Sequence, residues 1–146
     1  MNGCRICDKH RGVGPLVGPE VWSDDLLLVF HRPPGPDGTG VLGYLFVETR
    51  RHAPSLTDLT EAEARAVGTA IWRAGRALRA ELSAESVFTA VIGTGVAHFH
   101  HHVLARHPGT PPEYGWMDSH AWPEAPRGDP EEIAELCSRL RRHFDG

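Results

Sequence analysis

The sequence predicts an α+β domain built on an antiparallel sheet. Three observations carry that expectation. The element order reads β-β-α-β-β-α, one stretch has a full helical period with its own start signal, and a histidine-rich run has the period of a strand.

Taken in order, residues 3–20 are rich in Gly, Cys and Pro and read as an irregular, tied-down segment. Leu26–His31 is a short apolar run and a first strand. Pro33-Pro34-Gly35-Pro36-Asp37-Gly38 is a strong turn signal, and Val41–Val47 follows as a second strand. The two strands suit a hairpin with a long tip. Thr60 and Glu63 form a T-x-x-E capping box, which starts a helix at about 60–82. Val67, Ile71, Ala74, Leu78 and Leu82 recur along it at helical spacing, with Arg65, Arg73, Arg76 and Arg79 directed mostly toward solvent. Val87–Ile92 and Ala97–Ala105 are two further β-rich runs, separated by Gly93-Thr94-Gly95. Residues 107–128 hold five prolines and three glycines with Trp116 and Trp122, and read as an extension without regular structure. Asp129 is a good N-cap and Pro130 suits the first helical position. Ile133, Leu136, Cys137, Leu140 and Phe144 then make one stripe of a last helix.

A chain of 146 residues fits one domain with a real core. Its 40% hydrophobic and 23% charged content reads as soluble and globular. A net charge of −4 argues against binding duplex nucleic acid. No apolar run approaches the roughly 18 residues of a membrane span, and the start has no basic-then-apolar signal. Three cysteines cannot build a disulfide framework, so a reduced, cytoplasmic setting is expected. Of 15 cations, 14 are arginine, a bias that says little about function. The ten histidines set the charge state between about pH 5 and 7.

Those histidines concentrate in Ala97-His98-Phe99-His100-His101-His102-Val103-Leu104. Alternation along a strand puts His98, His100 and His102 on one face, and Phe99, His101 and Val103 on the other. One face is thus mostly apolar and suited to packing on the long helix. Three imidazoles in a row have no packing use, whereas each serves as nucleophile, acid, base or ligand near neutral pH. Gly93-Thr94-Gly95, just upstream, lets backbone N–H groups approach an anion closely and adds the Thr94 hydroxyl, the makings of a phosphate cradle. Arg106 either adds charge to a phosphate or is a solvated arginine. Cys4-x-x-Cys7 has the spacing of half a zinc site whose missing ligands would be histidines, or of a redox pair outside any thioredoxin-like context. Cys137 reads as a buried small hydrophobe.

The run His98-Phe99-His100-His101-His102-Val103-Leu104 resembles the H-φ-H-φ-H-φ-φ signature of the histidine triad (HIT) superfamily. The approach Gly93-Thr94-Gly95-Val96-Ala97-His98 and the strand Gly43–His52, which ends in basic residues and histidine, are similar too. The resemblance covers about residues 4–106. It implies a sheet of about five antiparallel strands with a long helix packed on it and a C-terminal helix. It also implies a division into a domain at 1–106, including the N-terminal zinc-binding segment, and an extension at 107–146 packed on that domain.

What the resemblance implies chemically is hydrolysis or transfer at the α-phosphate of a nucleotide ester, anhydride or phosphoramidate. His100 would attack phosphorus and carry a nucleotidyl-histidine, and His102 would bond a phosphate oxygen or assist the leaving group. Gly93, Thr94, Gly95 and His31 would contact the nucleotide, His31 standing near the position of an acidic ribose contact. Cys4, Cys7, His52 and His98 would hold a structural zinc, with no catalytic metal needed. A small-molecule nucleotide is the implied partner, and a homodimer the implied assembly. The chain departs from the family pattern in having no glutamine and only Asn2 as asparagine, in placing Thr94 at a usual glutamine position, and in having the polar His101 at a hydrophobic position. Two rivals therefore stand beside the enzyme: a noncatalytic nucleotide-binding or zinc-stabilised interaction module, and a metallohydrolase using triad histidines with Glu113 or Asp118. Trp116 would contact a base or leaving group if the extension reaches the pocket, and would simply cover the domain if it does not.

Overall fold

Alternation along the paired strands decides the architecture. In the computed structural model, which describes residues 3–145, five strands form one antiparallel sheet. They are β1 (Glu20–Ser23), β2 (Leu27–His31), β4 (Tyr44–Thr49), β5 (Ser86–Ala90) and β6 (His100–Arg106), in the order β1-β2-β4-β6-β5. β3 (Gly40–Val41) and β7 (Arg127–Gly128) form a separate two-stranded ladder. β2 and β4 are the expected long-tipped hairpin, and the α+β class is as the sequence predicts.

Val29, Val47 and Val103 point from one sheet face into the core. There they meet Val67, Ala70, Ala74 and Leu78 of α2 (Glu61–Leu82), and Ile133, Leu136 and Leu140 of α3 (Pro130–Arg141). Both helices start with a reciprocal capping box, Thr60 with Glu63 and Asp129 with Glu132. Each such cap satisfies a helix-end N–H and its loss costs about 1 kcal/mol.

Four expectations are corrected. Residues 3–20 are not all irregular: they contain α1 (Arg5–His10), N-capped by the Cys4 sulfur, and the start of β1. A six-residue helix has too few turns to show a period. The run Val41–Val47 is broken at Gly43, whose φ of +93° turns the chain where a Cβ would lie 2.7 Å from Leu82 Cδ1. The histidine strand starts at His100, not Ala97, so His98 precedes it. The extension holds β7 and a 3-10 turn at Ser119–Ala121.

His101 pairs across from Val47 on the helix-facing side, and both of its ring nitrogens are buried without a hydrogen-bond partner. Burial holds its pKa below the ordinary imidazole value. His101→Leu is expected to stabilise the fold by about 1 kcal/mol in urea unfolding, because an unsatisfied polar group is removed. The sign with pH follows. Below about pH 6.5 the unfolded chain takes up a proton at this position that the folded chain resists. Stability therefore falls with acid in the parent, and the leucine variant loses that part of the slope. A variant no more stable than the parent would contradict the assignment.

Candidate functional site

The sheet face opposite the core carries the chemistry. Cross-strand pairing sets Phe30 beside Phe46 and Phe46 beside His102, with Glu48 opposite His100. His100 and His102 are half-buried, with ring centroids 5.2 Å apart. His100 Nδ1 lies 2.8 Å from the carbonyl oxygen of His98. A carbonyl only accepts, so in the neutral ring Nδ1 carries the proton and Nε2 the lone pair. His102 Nδ1 lies 2.8 Å from Tyr44 Oη. Burial, then the charges of His100, His101, Arg32 and His120, bring the His102 pKa down to about 4, so its ring is neutral at pH 7. Burial pushes the Tyr44 hydroxyl above its ordinary value, so it stays protonated.

Beside the row, Cys4, Cys7, His52 and His98 bring four ligand atoms within 4.8 Å of one another. Cys4 Sγ and Cys7 Sγ lie 3.5 and 3.4 Å from His98 Nδ1, and Cys7 Sγ lies 3.4 Å from His52 Nδ1. Tetrahedral zinc with ordinary bond lengths sets sulfur–nitrogen separations of about 3.5 Å. His98 Nε2 donates to the Thr49 carbonyl at 2.7 Å, which leaves Nδ1 unprotonated for a metal and fixes the ring. The residues therefore fit a closed structural zinc site. Among the described residues this is the one group that gathers three or more ligand atoms, and neither Glu113 nor Asp118 joins it.

α1 links the two sites. Lys9 Nζ and His10 Nε2 bond the two oxygens of buried Glu48 at 2.7 and 2.8 Å. Burial pushes the Glu48 carboxyl up, but the His10 hydrogen bond and the Lys9 charge outweigh it and hold the group below its ordinary value. Lys9 Nζ also sits 4.1 Å over the Phe30 ring. The helix so held walls a cavity of about 210 Å³ lined by Ile6, Lys9, Leu16, Phe46, Val96 and His100.

The structure brings His100, His102 and His98 together and places Cys4, Cys7 and His52 around His98. Gly93, Thr94 and Gly95 lie in an exposed loop, and it is Val96 beyond them that reaches the His100 cavity. His31 is fully buried, with Nδ1 donating to Arg32 O and Nε2 accepting from Gly43 N. It does not line that cavity, whereas Arg32 does. Arg106 serves neither expected role. Its guanidinium donates to the carbonyls of Tyr114, Thr110 and Pro111 and ties down the extension. Trp116 is 56% exposed and meets Phe88, not a triad histidine. Sequence reasoning missed Arg32, Tyr44, Phe46, Lys9 and Glu48. Strand alternation places Tyr44, Phe46 and Glu48 on one face, and that signal was in the sequence.

The HIT domain model matches residues 24–109. No curated protein matches the sequence. A zinc-bound histidine triad family protein from Mycobacterium smegmatis superposes with a TM-score of 0.71 at 21% identity, over 98% of this chain and 96% of that one. A Hit-like protein involved in cell-cycle regulation from Bartonella henselae, solved with an unknown ligand, gives 0.68 at 18% identity over 98% of each chain. A hypothetical histidine triad nucleotide-binding protein from Sulfolobus tokodaii gives 0.71 at 15% identity, over 97% of this chain and 91% of that one.

Proposed function

This chain belongs to the HIT domain family, and from that premise we propose that it is a nucleotide hydrolase or nucleotidyltransferase. It acts at the α-phosphate through an adduct on His100. The observation that carries the reading is the hydrogen bond from His100 Nδ1 to the His98 carbonyl, which aims a free Nε2 lone pair at the cavity side of the sheet. The nucleoside moiety occupies the apolar part of that cavity, between Ile6, Leu16 and Phe46. Its α-phosphate lies against His100 and His102, on the side where Val96, the residue after Gly93-Thr94-Gly95, lines the cavity.

Covalent catalysis splits one hard displacement into two easier ones. His100 Nε2 forms a bond to phosphorus as the leaving group departs, and water or another acceptor then displaces the histidine. The Tyr44 hydroxyl donates a hydrogen bond to His102 Nδ1, so that His102 Nε2–H faces a phosphate oxygen and stabilises the charge that develops there. The zinc, when bound by Cys4, Cys7, His52 and His98, supplies structure rather than Lewis acidity. The expected observation is turnover of at least one nucleoside ester, anhydride or phosphoramidate, with a phosphorus–nitrogen adduct trapped on His100 by rapid quenching and peptide mapping.

A second copy of the chain covers the outer face of α2 and the edge strand β5. Trp72 is 59% exposed there, under the guanidinium of Arg76, beside an open groove of about 340 Å³ formed with Ile71 and Val87. Light scattering after gel filtration is expected to give twice the chain mass, and Trp72→Glu to give the monomer. A parent that runs as a monomer at micromolar concentration would contradict the dimer. Cys4, Cys7 and Cys137, none of them in a disulfide, suit a reducing cytoplasm, and no described helix is long and apolar enough to cross a membrane.

A further inference from the structure

We propose that Arg32, His120 and Arg127 form an anion subsite for a phosphate-bearing leaving group, so that nucleotide anhydrides are preferred over phosphoramidates of uncharged amines. The proposal rests on the α-phosphate chemistry above and names the other half of the substrate.

A second cavity of about 200 Å³ adjoins the one at His100, and Arg32 lines both. Its walls include Thr39, Gly40 and Tyr44 from the hairpin tip and β4, and His120 and Arg127 from the extension. No carboxylate lines it. Asp37 stands 4.0 Å from Arg127 Nη2, outside the lining and 64% exposed. Tyr44 is the partition between this cavity and the triad. Its hydroxyl meets His102 at 2.8 Å, the Arg32 guanidinium lies 5.0 Å over its ring, and the His120 ring meets it edge-on at 5.1 Å. Arg127 is oriented rather than loose, because its Nε donates to Thr39 Oγ1 at 3.1 Å and its backbone pairs with Val41 in the β3–β7 ladder. A solvated arginine needs neither constraint. Two guanidinium groups and an imidazole around one cavity match the oxygens of a phosphate.

The chemistry agrees with that assignment. The His100 Nε2 lone pair forms the bond to the α-phosphorus, and the bond from that phosphorus to the bridging oxygen breaks. The electron pair leaves on that oxygen, as a phosphate anion that needs no proton at neutral pH. Water then attacks the adduct, returns the pair to Nε2 and gives up its proton to solvent. An amine must take a proton as it leaves, and His102, with its pKa brought to about 4, carries no extra proton at pH 7.

The test compares kcat/KM for a dinucleoside triphosphate and for the phosphoramidate of an uncharged amine built on the same nucleoside. It uses the zinc-loaded full chain, with Arg127→Gln and Arg127→Lys as variants. The glutamine variant is expected to lose about 10- to 100-fold on the anhydride and at least ten-fold less on the phosphoramidate, with partial recovery in the lysine variant. The phosphoramidate rate serves as the folding control. Equal losses on both substrates, or no loss on the anhydride, would overturn the subsite while leaving the histidine chemistry intact. A parent that turns over neither substrate would instead remove the enzyme reading itself.

Discussion

Replacing His100 with alanine is expected to lower kcat by about four orders of magnitude or more, which corresponds to about 5.5 kcal/mol of lost transition-state stabilisation. The size follows from the role. A nucleophile cannot be partly replaced by its neighbours, and His102 points its Nδ1 at Tyr44 rather than at the His98 carbonyl. Nucleotide affinity is expected to stay within a few-fold, because Ile6, Leu16, Phe46 and Arg32 still line the cavity. The measurements are single-turnover kinetics and calorimetric titration with a nucleoside monophosphate. Residual turnover within ten-fold of the parent would sink the nucleophile assignment. A parent that binds nucleotide and forms no adduct would make the chain a binding module, the reading favoured by the lack of any glutamine and of any asparagine besides Asn2.

The second large effect is expected from Cys7→Ser. Metal analysis of the parent should find about one zinc per chain, and the variant well under half of that. Cys7 Sγ contacts both His52 and His98, so its loss removes the ligand that closes the site between them. The expected destabilisation is about 3 kcal/mol, a fall in melting temperature of about 6–12 °C for a domain of this size. Function should report it too. α1 carries Ile6 and Lys9 into the His100 cavity, so nucleotide affinity should fall while the triad strand stays in place. A variant that keeps full zinc would contradict the ligand set.

The two long helices, α2 and α3, were legible in the sequence because each has a capping box and a stripe long enough to show its period, whereas α1 has neither. The histidine row was legible as a row, but not where its strand begins. Alternation assumes strand geometry from Ala97, and only from His100 onward does the chain pair with β4 and β5. His98 is buried by the cysteines instead. The same rule, carried one strand further, would have corrected His31. Phe30 shares the face of Phe46 and His102, so His31 must point the other way and Arg32 falls on the side of the cavity. The role of the extension was illegible for a different reason. Arg127 meets Thr39 through a two-residue ladder between segments far apart in the chain, and no local period records such a pairing.

The proton on His100 is fixed by a main-chain oxygen, and that has a consequence for sequence drift. No codon change deletes the His98 carbonyl, and any residue that kept the backbone path would still present it. The tautomer of the ring proposed to react is thus insulated from mutation, while the side chains that line the adjoining cavities carry no such protection. Under the proposed mechanism, a lineage can exchange its cavity-lining side chains and keep the ring set for attack. A chain with an intact histidine row and unfamiliar neighbours is what such a history would leave.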